Sequence, residues 1–396
     1  MRTRLTVAIL FLALVAAALA APSSAAGPAS IEAAGPTWRQ PHLNAAHDGF
    51  NRKETVLSPS TVAGLTTRWI GHAPSLTLMG AVLVTNDSVY AAGADNTGGD
   101  PRTALIRFDR STGRRRWSVQ QPYGSTTSGI AFGGGRVFMS TADSYLRAYD
   151  GMTGDLVWSF PAGGYVGAPT IVGDVLYLQT LFAGVFAVDA ASGEPIWGFD
   201  YGDEAGSGPA VFGNRLFVNG GYDRRVQAVT ADTGALVWTT PVDGDVLGSP
   251  AVDSTAVFVG VVKGITGTGI VYALDRADGH VLWQVPTPAG GVSSTPAIAN
   301  GVLYVGDNGG DLTAFDETTG ATLWTAHTRR AFALSSPIVA NGVVYAATIG
   351  AYAFDAATGA LLWSSKTDLV NMAPSLIEGV LYVGDFSGKV RAYSLP

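Results

Sequence analysis

Along most of the chain apolar residues come in runs of four to six, and polar turn formers break them at short, even intervals. One stretch reads TPAIAN, GVLYVGD, GDLTAFD and ATLWTA, with Trp324 in its last run. The runs are rich in Val, Leu, Tyr and Phe and are parted by Gly, Asn and Asp, the pattern of short antiparallel strands joined by tight turns. They are too short and too often broken by glycine for helices. Seven such units end on a tryptophan, at Trp117, Trp158, Trp197, Trp238, Trp283, Trp324 and Trp363, and Trp69 stands one period ahead. The intervals are 48, 41, 39, 41, 45, 41 and 39 residues, so the chain is a repeat architecture.

Four strands per period of about 40 residues predict the blades of a β-propeller. The second run recurs eight times, from Ser88–Ala91 to Val380–Val383, always with Tyr or Phe third. The third run ends in Ala two residues before an Asp at Ala148, Ala187, Ala273, Ala314 and Ala353. That small residue is expected to leave room for the indole of a neighbouring blade. The Asp can accept backbone N–H bonds and start the turn. A glycine then supplies the positive φ of a hairpin bulge (Gly113, Gly154, Gly193, Gly234, Gly279, Gly320, Gly359). The last unit, APSLIEGVLYVGDFSGKVRAYSLP, stops before a tryptophan, and the missing strand is LTTRWI around Trp69. Pairing the two ends removes the open edges of the ring. The expected fold is all-β, an eight-bladed propeller of four-stranded antiparallel blades over residues 65–396, closed by an N-terminal strand. The eight repeat tryptophans are expected to be structural, docked between blades. Residues 27–64 are expected to form an extended arm across the outside, with Trp38 pinned to a blade.

Composition adds an address. The start, MRTRLTVAILFLALVAAALAAPSSAAG, has two arginines, an apolar stretch and then small residues, the form of a secretory signal peptide over residues 1–26. The expected protein is extracytoplasmic, with no stable membrane insertion once the leader is cut. The chain carries 24 Lys and Arg against 31 Asp and Glu, net −7, with no basic stripe, so a nucleic-acid partner is not expected. There is no cysteine, hence no disulfide and no lipid-anchoring cysteine after the leader. The ring is expected to be monomeric and held by blade packing.

The phrase A-x-D-x-x-T-G-x-x-x-W, complete as AYDGMTGDLVW, AFDETTGATLW and AFDAATGALLW, resembles the tryptophan-docking repeat of the pyrroloquinoline-quinone-like β-propellers. The lead-in HLNAAHDGFNRKETVLSPSTVAGLTTRW is similar to the segment before the first blade in many members. The resemblance covers residues 37–396 and implies the fold. It leaves activity open, because the superfamily holds quinoprotein alcohol dehydrogenases, the assembly lipoprotein BamB and secreted proteins of other kinds. Its dehydrogenases hold their quinone against a pair of adjacent cysteines beside calcium, and with no cysteine here no cofactor is expected; pyrroloquinoline quinone is disfavoured.

In a propeller the loops from each outer strand to the next inner strand converge around the axis, and here they diverge while the strands repeat. Candidate ligand residues on them are Asp203, Glu204, Asp243 and Asp245 on one arc, and His327, Arg329, Arg330, Lys366, Asp368 and Asn371 on the other. The alternative for these charges is ordinary solvated loops. No metal site is expected: His42 and His47 lie five apart in an extended segment, and DNGGD at 307–311 lacks the acidic residue that completes a calcium loop. No serine or cysteine has the neighbours of a nucleophile. The reading is therefore a secreted binding or scaffold protein for a protein, peptide or glycan partner, through its channel-face loops. The alternative is a secreted quinoprotein-like oxidoreductase, or another enzyme using channel-face carboxylates and basic residues.

Overall fold

The computed structural model describes residues 37–396 apart from 74–75, 96–101, 123–128, 142, 182, 200–206, 265–266, 329–330, 333–334 and 366–372. The expected leader, residues 1–26, lies outside the described residues. Eight blades follow one another, seven of them built on four consecutive antiparallel strands, with Tyr165–Val166 added as a short fifth strand to the third. The eighth takes Ser375–Ile377, Val380–Gly384 and Lys389–Ser394 from the carboxyl end and Thr66–His72 from the amino end. Trp69 there stands opposite Ala392, so one hydrogen-bonded seam closes the ring. The protein is an eight-bladed all-β propeller.

In each blade the first strand is more buried than the fourth, which faces solvent. Consecutive first strands touch one another around the axis, so the first strand is the inner one. The inner strands of blades 2 to 7 are Ile130–Gly133, Thr170–Val172, Ala210–Phe212, Ala251–Val252, Ala297–Ala299 and Ile338–Ala340; blade 1 has Leu76–Val84 and blade 8 Ser375–Ile377.

A three-residue row explains the repeat. In blade 6 Tyr304 on the second strand pairs with Ala314 on the third, which pairs with Trp324 on the fourth. All three side chains share one face, and the rings of Tyr304 and Trp324 lie 5.8 Å apart. The alanine thus makes room for the tryptophan of its own blade, where the sequence reading placed a neighbour's indole. The row packs against the next blade. Trp324 Nε1 donates to the Ala356 carbonyl at 3.0 Å, just past the next blade's turn aspartate. The same bond joins Trp69 to Arg110, Trp158 to Ala190, Trp197 to Ala231, Trp238 to Arg276 and Trp283 to Glu317. Trp363 instead reaches the carbonyl of Leu65, beside the closing strand. The turn glycine is needed twice over. At Gly359 φ is +73°, and a Cβ would stand 2.6 Å from the Trp324 indole.

Blade 1 departs from this row. Arg107 replaces the alanine opposite Trp117, and the Trp117 Nε1 has no hydrogen-bond partner. The Arg107 side chain is buried and crosses the seam itself, donating to the Met152 carbonyl at 3.0 Å and to Asp87 and Ser88 in its own blade. Tyr90 donates to Gly151, the carbonyl that Trp117 would otherwise take. A charged fork and a phenol replace one indole N–H.

Candidate functional site

The inner strand of a propeller blade has one edge bonded to its neighbour and one edge facing the axis, where its amides need partners. The arm supplies them. Val84 N donates to Trp38 O (2.9 Å), Phe132 N to Arg39 O (2.7 Å) and Ile171 N to Gln40 Oε1 (2.9 Å). Val211 N donates to Ala45 O (2.6 Å), Val252 N to Ala46 O (2.9 Å), Ile298 N to Asp48 O (2.7 Å) and Val339 N to Gly49 O (2.9 Å). In blade 8 the Leu376 carbonyl accepts from Asn51 Nδ2 at 2.7 Å. These eight residues hold the same place in every copy, four before the second strand. Fourteen residues, 38–51, thus circle the axis and touch the blades in order, with Phe50–Asn51 added as a parallel strand to blade 7. The outward course expected from the sequence is corrected: Trp38 is fully buried, bridged to Val84 at the inner edge of blade 1. The arm then leaves over the turns that follow the inner strands of blades 7 and 8, where Asn341 donates to the Leu57 carbonyl and Gly379 N to Glu54.

Inside this belt lie two imidazoles. His42 and His47 are buried, their ring centres are 5.3 Å apart, and neither Nδ1 has a hydrogen-bond partner. Burial, opposed by a hydrogen bond to the Pro250 backbone, lowers the His47 pKa to about 4; burial and then the nearby His47 hold His42 well below the usual histidine value. Both rings are neutral at physiological pH.

Where the belt meets blades 4 to 6, a cavity of about 420 Å³ opens between the turns, lined by Asp48, Arg52, Phe212, Asn300, Asp253 and Glu317. Asp48 accepts from Arg52 at 2.6 Å. The other wall is a pair of acids. Asp253, in the turn after the inner strand of blade 5, is hydrogen-bonded to Glu317, which follows the turn aspartate of blade 6. Burial, that hydrogen bond and the Asp253 charge raise the Glu317 pKa to about 8. Burial pushes Asp253 the same way, but the Glu317 hydrogen bond and the amides of Ala256 and Thr255 prevail and lower it. The pair therefore shares one proton at neutral pH. At the equivalent seam between blades 8 and 1, Arg110 meets Glu378 at 2.8 Å, beside a groove of about 400 Å³. Between blades 4 and 5 the Arg276 guanidinium stacks on Phe212, 4.4 Å from the ring centre. Two seams pair groups that attract; the third sets two acids together, a perturbation typical of functional sites.

The loop residues singled out from the sequence fall elsewhere. Asp203, Glu204, Arg329, Arg330, Lys366, Asp368 and Asn371 lie outside the described residues. Asp243 pairs with Lys263, and Asp245 with Arg224 at 2.9 Å. His327 is exposed and its Nδ1 bonds to Asp311 of its own blade. These three are thus engaged by residues of the same or the adjoining blade. Asp253 and Glu317 were missed, although both depart from the repeat: the slot of Glu317 holds Ala, Gly or Arg in blades 1 to 5 and Ala in blade 7.

The family described as outer membrane protein assembly factor BamB matches residues 101–184 and 181–395. The assembly factor BamB of Moranella endobia (strain PCIT) is 35% identical over 109 residues, 26% of each chain. Quinoprotein alcohol dehydrogenase PedH of Pseudomonas putida is 30% identical over 170 residues, 37% of this chain and 28% of the relative. The matched stretches thus span about a quarter of the curated relatives' lengths. Among solved structures, BamB from Moraxella catarrhalis superposes with a TM-score of 0.65 at 19% identity, covering 83% of this chain and 97% of that one. A europium-containing methanol dehydrogenase gives 0.72 at 14% identity, covering 91% and 98%. At such identities these likenesses concern the fold.

The quinone brought into view by the dehydrogenase relatives does not fit the residues present. There is no cysteine to make the pair that the resemblance implies for the face of the quinone. Among the described residues the one cluster of three metal-type ligands, Asp275, Asp278 and His280, sits in a solvent-facing hairpin turn of blade 5.

Proposed function

The chain belongs to the β-propeller family described as outer membrane protein assembly factor BamB, and from that premise we propose that it is an extracytoplasmic binding protein that docks a segment of a protein partner. The observation that carries this is the cleft of about 420 Å³ at Asp253 and Glu317, beside the belt of residues 38–51 that lines the inner edges of the blades. The cleft best equipped is the one at Asp253 and Glu317. Its shared proton can be exchanged for the ammonium or guanidinium of a partner's basic side chain, which gains a charge-assisted hydrogen bond. The channel-face loops, with Asp243, Asp245 and His327, offer a second contact on the opposite side of the ring.

A photo-reactive residue at Asn300, in the cleft, should give a discrete protein adduct in the cell envelope, lost on Asp253→Lys. The same probe at Tyr222, in the exposed turn between the second and third strands of blade 4, should not share that adduct. Adducts that are absent, or unchanged by Asp253→Lys in a folded protein, would reject the cleft as the contact.

The acid pair itself favours a second reading, a hydrolase using one protonated and one ionised carboxyl. Carboxyls in hydrogen-bond contact are too close for either glycosidase arrangement, which needs about 5–9.5 Å between them. The geometry is that of a dyad sharing a proton, as in aspartic proteases. Peptide hydrolysis abolished by Glu317→Gln would establish this reading in place of docking.

A further inference from the structure

The belt is held between His42 and His47 in a conformation that its residues resist. φ is +58° at His42, +77° at Leu43 and +57° at His47, in the left-handed region where side chains are strained. The loop is tied at its base, where Gly49 N and Asn44 N both donate to the His42 carbonyl, at 3.2 and 3.0 Å. Both rings are buried with their centres 5.3 Å apart, and each leaves its Nδ1 without a partner. Strain and unmet hydrogen bonding at one place call for an explanation by function.

This arrangement accepts neutral imidazole and opposes imidazolium. Thr170 Oγ1 donates its single proton to the Pro209 carbonyl at 2.6 Å, so towards His47 Nε2, 3.2 Å away, it accepts. Nε2 therefore carries the ring proton, and a second proton would add a donor at Nδ1, which has no partner to receive it. The surroundings supply no counter-charge either. The inner strands of blades 2 to 6, which meet residues 39–48, hold no charged side chain. Among the described residues, the acids nearest to them are engaged or turned to solvent. Asp48 is taken by Asn44 and Arg52, and Asp253 by Glu317. Asp243 and Asp245, on the loop leading to Pro250, pair with Lys263 and Arg224, and Asp174 is exposed. The remaining charge on the belt, Arg39, is itself a cation. Two buried cations at this separation would also repel each other.

We propose that the belt is an acid-released latch: when His42 and His47 take up protons, residues 38–51 leave the inner edges of the blades while the ring stays closed. A histidine depressed in the closed state lends stability that is present above its ordinary pKa of 6.5 and lost as pH falls towards its closed value, about 4 for His47. From pH 7 to pH 5 His47 alone tilts the belt about twentyfold towards release, and His42, lowered in the same sense, adds to it. His72, His280 and His327 are exposed, so of the five histidines the belt pair alone couples ring protonation to burial. The closing seam of Thr66–His72 on Lys389–Ser394 buries no imidazole. Asp48 and its partner Arg52 also wall the cleft beside Asp253. On the docking reading, release therefore dismantles the partner site as well; the release itself stands without that reading.

The test is hydrogen exchange at pH 7 and pH 5, corrected for the intrinsic effect of pH on amide exchange. Protection should fall at least twentyfold at Val84, Phe132, Ile171, Val211, Val252, Ile298 and Val339, whose amides the belt accepts from. The seam amides of Thr66–His72 and Lys389–Ser394 should keep theirs. The double variant His42→Asn/His47→Asn does not titrate, and asparagine tolerates the left-handed backbone, so it should lose the pH effect. If that variant does not fold, the unaltered protein decides: between pH 6.5 and 4.5 the logarithm of protection at the seven amides should fall by more than one per pH unit, the mark of two protons. Protection unchanged with pH, equal loss at the seam, an effect retained in a folded double variant, or a slope of one or less overturns the latch.

Discussion

Glu317 shows how one residue can break a repeat that its neighbours keep. Its backbone does what the position requires everywhere, offering a carbonyl to the tryptophan of the preceding blade, here Trp283 at 2.9 Å. Its side chain is the anomaly, and a pH dependence follows from it. Folding raises the carboxyl from 4.5 to about 8, so between those values the folded state holds a proton that the unfolded chain has lost. This group's contribution is fully present below pH 4.5 and disappears as pH rises through 8. Because the residue is partly open to solvent, the loss is of the order of 1–2 kcal/mol after screening is discounted. Glu317→Gln keeps a donor towards Asp253 without the titration. Denaturant midpoints of the variant should stay flat from pH 5 to 9, relative to a falling wild-type curve. Parallel curves would mean that the two carboxyls do not share a proton. Asp253 and Glu317 lie 64 positions apart in two different turns, so only the register of two blades brings them together. That is why period and alternation, which reveal strands, could not reveal this pair.

At the scale of elements, the strands could be read from the sequence because each solves the same local problem. A run of four to six residues with an aromatic third, an Ala opposite a Trp and a Gly at positive φ needs no knowledge of the rest of the chain. The arm is different. Residues 38–51 have no period of their own, since they copy the ring's symmetry through backbone bonds to six inner edges and the Gln40 and Asn51 side chains to the other two, and backbone bonds leave little mark on sequence. Its only visible signs were Trp38 and the two histidines, whose burial was not predictable from an extended polar stretch. The belt should act as a cooperative element. Removing residues up to Asn51 while keeping the closing strand Thr66–His72 strips seven amides of their partners, at about 0.5–1.5 kcal/mol net each. Hydrogen exchange should then speed up selectively at Val84, Phe132, Ile171, Val211, Val252, Ile298 and Val339. An unaltered pattern at those seven amides would mean that the arm does not occupy the axis in solution.

For the whole molecule, two devices hold one circle: the seam between Thr66–His72 and Lys389–Ser394 at the rim, and the belt at the axis. They lie next to each other in sequence, because the arm passes from the inner edges of blades 7 and 8 directly to the outer strand of blade 8. A single amino-terminal segment of about 35 residues therefore binds the ring both inside and outside, and a protein without disulfides relies on it. Ring closure by non-local pairing is slow to form, and an unclosed blade exposes an edge that invites aggregation. Weakening the seam alone should separate the two devices. Trp69→Ala removes an indole that sits opposite Ala392, lies tilted against Tyr382 with ring centres 5.9 Å apart and bonds to Arg110 in blade 1. Truncating a buried tryptophan costs about 3–5 kcal/mol. Trp283→Ala, within a continuous run of blades, removes the same contacts without touching closure. If closure is the weak point of the circle, Trp69→Ala should unfold faster than Trp283→Ala at equal equilibrium destabilisation, and should form oligomers by pairing open edges between chains. Equal unfolding rates and a monomeric Trp69→Ala protein would show that the belt alone keeps the ring shut.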